Sequence, residues 1–248
     1  MRTKNKIAAL VLALLPVAAL GAGGGPALAK ASTDIHNTAS LQRGARNFVN
    51  YCMGCHSAKY VRWNRLAADL QIPMEEVAKS FMPPGASEHS TMMSAMSATD
   101  GKVWFGNAPP DLSMIARSRG LDYLYTFMTS FYEDPSRPTG TNNLALPGAA
   151  MPHVLAGLQG VQKAKFETVT GPDGKPTQHM VGLEPGTPGT MDAKQYAEFV
   201  NDTVNFLDYI GEPVKAKREN LGVWVIMFLL LLWVFTYLLK KEYWKDVK

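Results

Sequence analysis

Cysteine is scarce in this chain: its 248 residues contain only two, Cys52 and Cys55. A structural zinc site normally has four protein ligands, and beyond the adjacent His56 no further histidine or carboxylate stands nearby at a suitable spacing. A redox-active dithiol would follow a strand in a βαβ pattern, which the sequence does not show. The scarcity therefore argues against both the zinc site and the dithiol chemistry that a C-x-x-C spacing otherwise permits.

An excess of charge of one sign is also absent from the central part of the chain. The whole sequence has a net charge of +4. Residues 30–219 nevertheless contain 18 Lys and Arg against 19 Asp and Glu, a net charge of −1. The basic excess lies in the first residues and in the C-terminal tail, so nothing indicates nucleic-acid binding. Internal repeats are lacking too, and residues 30–214 have the length of one domain.

The two cysteines belong to the pentapeptide Cys52-Met53-Gly54-Cys55-His56. This C-x-x-C-H pattern is the signature for covalent attachment of haem c. Its spacing lets one turn of chain bring both thiols to the two haem vinyl groups, and the adjacent histidine then supplies an axial nitrogen to the iron. With both cysteines bound to haem, no disulfide can form. We therefore predict one covalently attached haem c.

The first 29 residues have the features of a signal peptide. Basic residues open the chain, an apolar run extends from Ile7 to Leu20, and Ala27-Leu28-Ala29 offers an A-x-A cleavage site. The alternative is an uncleaved N-terminal anchor, for which the run is short compared with the roughly 20 residues of a membrane span. Either way the segment that follows is exported. This agrees with the assembly of haem c on the outer side of the bacterial plasma membrane.

One long hydrophobic run is present near the C terminus. Leu221–Leu239 contains 19 residues without a charge, enough to cross the hydrocarbon core as a helix. A helix that is apolar on all sides is hard to bury in a domain of this size. Lysines stand on both sides of the run, so the exported haem motif decides its orientation. We predict a periplasmic haem domain at 30–214, an anchor helix at 215–240 and a cytoplasmic tail at 241–248.

The pattern within the domain is one of helices joined by long loops. A helix that Ser40 caps is predicted to run into Cys52. Gly44 stands one turn before Phe48 on its apolar side, and a glycine there would permit close approach of another helix. We expect that partner to be a helix over Asp192–Ile210, whose aromatic stripe would form core and also wall the haem.

Further elements are predicted between these two helices. Leu121–Phe131 is a third helix, rich in aromatic residues. Phe166–Thr170 and Gln178–Val181 flank an Asp-Gly turn and predict a small β-hairpin. Long loops of this kind are often packed against something large, such as a haem. The predicted loops are Met82–Lys102, Glu133–Ala150 and Gly182–Thr190.

The iron needs a second axial ligand. The candidates are the methionines and the four remaining histidines, His36, His89, His153 and His179. A methionine paired with a histidine raises the reduction potential relative to two nitrogens, because a thioether favours ferrous iron. Met151 follows Pro147 and Gly148, which can fix its loop against a haem face. By spacing alone, His153 remains its rival.

Three stretches of the sequence carry a family resemblance. Residues 52–61 read C-x-x-C-H-S-x-x-Y-V, and Ala108–Ser113, followed by Arg117 and Arg119, reads P-P-D-L-S-x-I-x-x-x-R. Both resemble the cytochrome c1 family, the haem subunits of the bc1 complex (ubiquinol–cytochrome c reductase). Met151 stands where bacterial members have the axial methionine, and the single C-terminal span completes the pattern.

The resemblance implies a mainly α fold. It would be a cytochrome c-like haem domain with long loops and a small β-hairpin insertion, plus one C-terminal transmembrane helix. It also implies His56 and Met151 as iron ligands and Arg119 as the partner of a haem propionate, with Arg117 as the rival arginine. Pro109 and Pro110 would pack against the haem edge on the His56 side, and Tyr123 would lie near it. The implied cofactor-binding residues are Cys52, Cys55, His56, Pro109, Pro110, Arg119, Tyr123 and Met151.

The implied function is a one-electron relay. The domain would accept an electron from the Rieske iron–sulfur protein and pass it to a soluble c-type cytochrome, within a dimeric complex that also contains cytochrome b. Six-coordinate iron leaves no site for a substrate, so no independent turnover is expected. The location would be the bacterial plasma membrane, with lipid around the anchor. The alternatives are a haem c subunit of another complex, such as a terminal oxidase, and a haem sensor with an open axial position.

Overall fold

The computed structural model describes residues 27–170 and 176–246. Helices predominate among them, as predicted. They are α1 (Thr38–Tyr51), α2 (Trp63–Leu70), α3 (Met74–Ser80), α4 (Ala98–Phe105), α5 (Ile115–Arg119), α6 (Leu121–Thr129), α7 (Ala156–Gln159), α8 (Ala193–Gly211) and α9 (Lys215–Tyr243). The strands are β1 (Ala58–Arg62), β2 (Thr91–Met92), β3 (Phe131–Glu133), β4 (Thr141–Asn143), β5 (Gly160–Thr170) and β6 (Pro176–Pro188).

The strands form two small sheets. β1 and β2 pair antiparallel, and a second sheet has the strand order β4-β3-β5-β6. β5 and β6 form the predicted hairpin, but it is longer than predicted and extends from Gly160 to Pro188. Its Asp-Gly turn falls at residues 171–175, outside the described residues. The parallel pairing of β3 with β5 attaches the hairpin to the haem domain.

The prediction of long irregular loops was wrong in part. β6 occupies most of the predicted loop Gly182–Thr190, while β2 lies within Met82–Lys102, α4 begins within it and β4 lies within Glu133–Ala150. β2 and β4 have only two and three residues, too few to show an alternating pattern in the sequence. The third predicted helix also ends earlier, at Thr129, and Phe131 begins β3.

The predicted close packing of the first and last helices of the domain is confirmed. A Cβ atom placed on Gly44 of α1 would lie 2.1 Å from the carbonyl oxygen of Asp202 and 2.7 Å from the Cβ of Phe206, both on α8. Phe48 packs beside this contact, with its ring centroid 5.5 Å from that of Phe206. Arg43 closes the edge of the contact through two hydrogen bonds, of 2.6 and 2.8 Å, to the carboxylate of Asp202.

Replacing Gly44 by alanine is expected to lower the free energy of unfolding by about 1–3 kcal/mol, because the new methyl group forces the two helices apart. The matched control is Gly157→Ala, where an added Cβ meets nothing within 4 Å. The thermal unfolding of the detergent-solubilised holoprotein measures both variants. Equal unfolding temperatures for the two would contradict the close contact.

The helix starts show one correct and one wrong prediction. The cap of α1 is Asn37, whose side chain accepts a 3.0 Å hydrogen bond from the N–H of Ser40, and Ser40 itself lies within the helix. Asparagine is as good a cap as serine, so residue type alone did not separate them. α8 begins as predicted at Asp192, which forms a capping box with Gln195.

The two ends of the chain differ in how much is described. Most of the predicted signal peptide, residues 1–26, lies outside the described residues. The chain that follows is tied to α6, since the N–H of Ala29 donates to Thr126 and that of Ala31 donates to Asp122. At the other end α9 is long and apolar enough to cross a membrane, and no part of its apolar stretch is buried against the domain. A single-pass membrane protein fits these features.

Candidate functional site

A cavity of about 390 Å³ lies between the helices of the domain. Its wall contains all eight residues that the sequence implied for the cofactor. These are Cys52, Cys55, His56, Pro109, Pro110, Arg119, Tyr123 and Met151. They come from four separate parts of the chain, and the fold brings them to one cavity.

The C-x-x-C-H residues reach the cavity from the end of α1. The chain makes one tight turn there, in which the N–H groups of Cys55 and His56 donate to the carbonyl of Cys52 at 3.0 and 2.8 Å. This turn places both sulfur atoms and the imidazole on the same wall. The geometry agrees with the requirement that one turn of chain reach both vinyl groups.

The His56 ring is fixed by a hydrogen bond to the backbone. Its Nδ1 lies 2.7 Å from the carbonyl oxygen of Pro110. A carbonyl can only accept, so Nδ1 must be protonated, and the lone pair of Nε2 is left for a metal. Burial lowers the pKa of His56, although the bond to Pro110 opposes this. The neutral imidazole, which is the form that can ligate a metal, is therefore favoured.

The P-P-D-L-S segment is held beside this histidine by its own side chains. The carboxylate of Asp111 accepts hydrogen bonds from the N–H groups of Lys59 and Ser113, both at 3.0 Å. The hydroxyl of Ser113, which is fully buried, accepts a 3.1 Å bond from the N–H of Tyr60. Both motifs of the resemblance are thus parts of one structure, which positions the Pro110 carbonyl against His56.

The state of the thiols supports the arguments against zinc and against a redox dithiol. Burial, with the nearby Cys55 adding to it, raises the pKa of the Cys52 thiol to about 12. A reactive dithiol or a metal site would instead favour the thiolate. Within the part of the chain that is described, no group of three or more His, Cys, Asp or Glu residues could hold a metal ion.

Met151 lines the cavity and its rival His153 does not. His153 is buried, with its ring stacked on Phe131 at a centroid distance of 4.9 Å. Its Nε2 lies 3.2 Å from the carbonyl oxygen of Gly160. Neither His36 nor His89 contributes to the cavity wall, and the side chain of His179 lies outside the description. The geometry therefore favours a methionine over these histidines. Met151 and Met128 both line the cavity, and Met151 is the one that the resemblance implies as the second iron ligand.

Of the two candidate arginines, likewise, only one lines the cavity. Arg119 lines the cavity, and its guanidinium carbon lies 5.6 Å from the ring centroid of Tyr123. No ion pair joins it to any described carboxylate. Arg117 lies away from the cavity, with its aliphatic stem against Gly211 at the end of α8. Arg119 is thus free to bind a carboxylate of a molecule in the cavity.

The prediction that the aromatic stripe of α8 forms core and also walls the site was right about the core and only in small part about the wall. Of that stripe only Leu207 lines the cavity, because α1 and α6 cover most of its other apolar residues. α6 supplies more of the wall, through Tyr123, Leu124, Phe127 and Met128. Ala108, Leu112 and Ile115 of the P-P-D-L-S segment also line it. Sequence reasoning missed most of the remaining wall, since residues without a motif are identified only by the fold. They are Tyr51, Phe105, Asn107, Leu146, Ala149, Ala150, Pro152 and Val154.

These residues fit a covalently attached iron porphyrin. The cavity is mainly apolar, and two thiols, a free imidazole nitrogen and the thioethers of Met128 and Met151 share its wall. A single guanidinium without a partner suits the carboxylates of such a group. The donor set matches histidine–methionine ligation.

Known proteins resemble this chain over nearly its whole length. The model described as the Cytochrome C1 family matches residues 29–82 and 92–247. Cytochrome c1 of Allochromatium vinosum is 45% identical over 244 residues, which is 98% of this chain and 99% of that protein. The ammonia monooxygenase gamma subunit of Nitrosomonas europaea is 41% identical over 249 residues, 98% of each chain. Mitochondrial cytochrome c1 of Saccharomyces cerevisiae is 26% identical, over 85% of this chain and 68% of that protein.

Proposed function

This chain belongs to the cytochrome c1 family, and from that membership we propose that it is the haem subunit of a bc1 complex. In this role it accepts one electron from a Rieske iron–sulfur protein and passes it to a soluble c-type cytochrome. The observation that carries the proposal is the single cavity that joins the C-x-x-C-H residues, the P-P-D-L-S segment and Met151. Members of the family bind one covalent haem c. When bound, this group supplies a one-electron ferric–ferrous couple.

The chain's own residues hold the group and close its coordination. Cys52 and Cys55 would form the two thioether bonds, and His56 would provide Nε2 while its Nδ1–H remains on the carbonyl of Pro110. Met151 would provide a thioether sulfur, which favours the reduced state and so raises the reduction potential. With His56 and Met151 both as ligands, the iron would have no position open to a substrate. The chain therefore relays electrons within the reductase and has no turnover of its own.

The remaining site residues shield the cavity from water and orient the carboxylate of the bound group. Pro109 and Pro110 cover the cavity on the His56 side and exclude water from it. Arg119 binds a propionate, for which its planar guanidinium offers two parallel N–H donors. The ring of Tyr123, 5.6 Å from that guanidinium, restricts where it points.

The membrane helix sets where this relay works. α9 anchors the domain, and the exported haem motif favours the periplasmic side of the bacterial plasma membrane for residues 30–214. Lys240 and Lys241 would then lie at the cytoplasmic end, in agreement with the positive-inside tendency. In this position the domain would stand beside cytochrome b, within reach of a mobile iron–sulfur domain.

Copurification tests the proposed complex. We expect the chain, tagged at its C terminus and solubilised in mild detergent, to be recovered with a b-type cytochrome and an iron–sulfur protein. The control is the same purification from membranes that contain the untagged chain. Recovery of the chain alone, with a terminal oxidase or with an oxygenase would contradict the bc1 assignment. The oxygenase outcome is included because of the relative named as an ammonia monooxygenase subunit.

A further inference from the structure

The segment that brings Met151 to the cavity has no helix or strand over most of its length. We name residues 144–151 the distal loop; it follows β4 directly. Leu146, Ala149 and Ala150 line the cavity together with Met151. The backbone N–H groups of the loop therefore need hydrogen-bond partners outside a helix or strand, because polar N–H groups next to an apolar cavity are unfavourable when unpaired.

Asn143, the last residue of β4, provides such a hydrogen-bond partner. It is fully buried, with 0% of its surface exposed. Its Oδ1 accepts hydrogen bonds from the N–H groups of Ala145 and Leu146, at 2.9 and 3.1 Å. Its Nδ2 donates a 2.7 Å bond to the carbonyl of Phe127 on α6. One carboxamide thus joins the start of the loop to a helix that walls the cavity.

A second anchor holds the middle of the loop. The N–H of Gly148 donates to Oδ1 of Asn142 at 2.8 Å, and the carbonyl of Gly148 accepts a 2.8 Å bond from Nη2 of Arg137. Gly148 has φ +80°, a left-handed conformation that glycine adopts without strain. This anchor lies at the surface, whereas the one at Asn143 is buried.

We propose that Asn143 is the positioning residue that fixes Met151 at the iron, and that it thereby controls how firmly the thioether binds. This inference rests on the proposed role of Met151 as a ligand. Asn143 does not line the cavity and acts by joining the loop to α6. Groups that orient a ligand from behind commonly change metal affinity and redox properties when they are removed.

The test compares Asn143→Ala with Asn205→Ala in the full-length holoprotein. Asn205 is also 0% exposed, and its Nδ2 donates two hydrogen bonds, to the carbonyl of Asp34 and to Ser40. It lies on α8 and touches neither the distal loop nor the cavity wall. Each variant therefore removes a fully buried carboxamide and its hydrogen bonds, three of 3.1 Å or less at Asn143 and two at Asn205, in different places.

Three readouts report the thioether bond rather than stability. They are the charge-transfer band of methionine-ligated ferric haem, carbon monoxide binding by the reduced protein, and the reduction potential. We expect Asn143→Ala to raise the fraction of protein with the thioether dissociated by about tenfold, as follows from losing the hydrogen bonds that hold the start of the distal loop. It should lose intensity in the band, bind carbon monoxide and have a lower potential. Asn205→Ala should lower only the unfolding temperature.

A conservative variant separates the acceptor from the rest of the side chain. Asn143→Ser retains an oxygen that can accept from the N–H groups two and three residues ahead, so it should restore much of the band. The proposal is overturned if Asn143→Ala matches Asn205→Ala in all three readouts, or if the serine variant behaves as alanine does.

Two measurements keep the outcome decisive. If Asn143→Ala does not accumulate, amide hydrogen exchange of the unmodified holoprotein is used, and exchange of the Ala145 and Leu146 amides as fast as in exposed turns refutes the proposal. Met151→Leu serves as the reference for complete loss of the thioether. If Met151→Leu keeps the band and excludes carbon monoxide, the ligand role itself fails, whatever Asn143→Ala does.

Discussion

Met151→Leu is expected to lower the reduction potential on the order of 0.1 V or more, within the roughly 0.8 V range that axial ligation can span. Leucine keeps the approximate volume of methionine and removes only the sulfur, so the cavity wall changes little. The thioether stabilises ferrous iron, and its loss therefore favours the oxidised state. A redox titration of the purified holoprotein, followed in its visible spectrum, measures the shift.

Met92→Leu is the matched control for this experiment. Met92 is fully buried in β2 and lies outside the cavity wall. The same substitution there should cost less than about 1.5 kcal/mol of stability and leave the potential unchanged. A Met151→Leu protein with the potential and spectrum of the wild type would remove Met151 as the ligand. It would also weaken the assignment of the chain as a high-potential relay.

The second large effect is expected from replacing both cysteines by alanine. Cys52→Ala with Cys55→Ala should abolish haem that survives denaturing electrophoresis, because no thiol remains to form a thioether. The unfilled cavity should also destabilise the domain. At about 24 cal/mol per Å³, a cavity of about 390 Å³ corresponds to at most about 9 kcal/mol, and wall side chains that relax inward reduce this figure. Typical domains have only about 5–15 kcal/mol of stability.

Each single variant is a control for the double one. Cys52→Ala and Cys55→Ala retain one thiol each, so each should keep one thioether bond and an absorption maximum shifted from that of the wild type. Haem staining of denaturing gels and the amount of chain in membranes are the measurements. Covalent haem in the double variant, or wild-type amounts of a haem-free chain, would contradict the proposed attachment.

The parts of the fold that the sequence predicted correctly depend on local patterns. The pairing of α1 with α8 follows from helical periodicity and from Gly44, whose missing side chain allows the contact with Asp202. The anchor helix follows from an uncharged run of sufficient length. The strands β3 and β4 were missed because each is three residues long, too short to show an alternating pattern.

The site was predictable to a similar extent. C-x-x-C-H is contiguous, so its chemistry can be read without a fold. The clamp formed by Asp111 and Ser113 on the backbone of Lys59 and Tyr60 was not predicted, since those hydrogen bonds join residues more than fifty positions apart. Asn143 was not identified either, because a single asparagine after a polar stretch has no distinguishing pattern.

The sequence by itself was enough to predict covalent haem attachment, His56 as its proximal ligand and a single C-terminal membrane helix. In each case all the residues needed are neighbours in the chain. Only the tertiary structure decided which of Met151 and His153, and which of Arg119 and Arg117, lines the cavity. The side chains of two residues that stand two positions apart point in directions set by the backbone between them. That backbone is fixed by distant contacts such as those of Asn143 and Gly160.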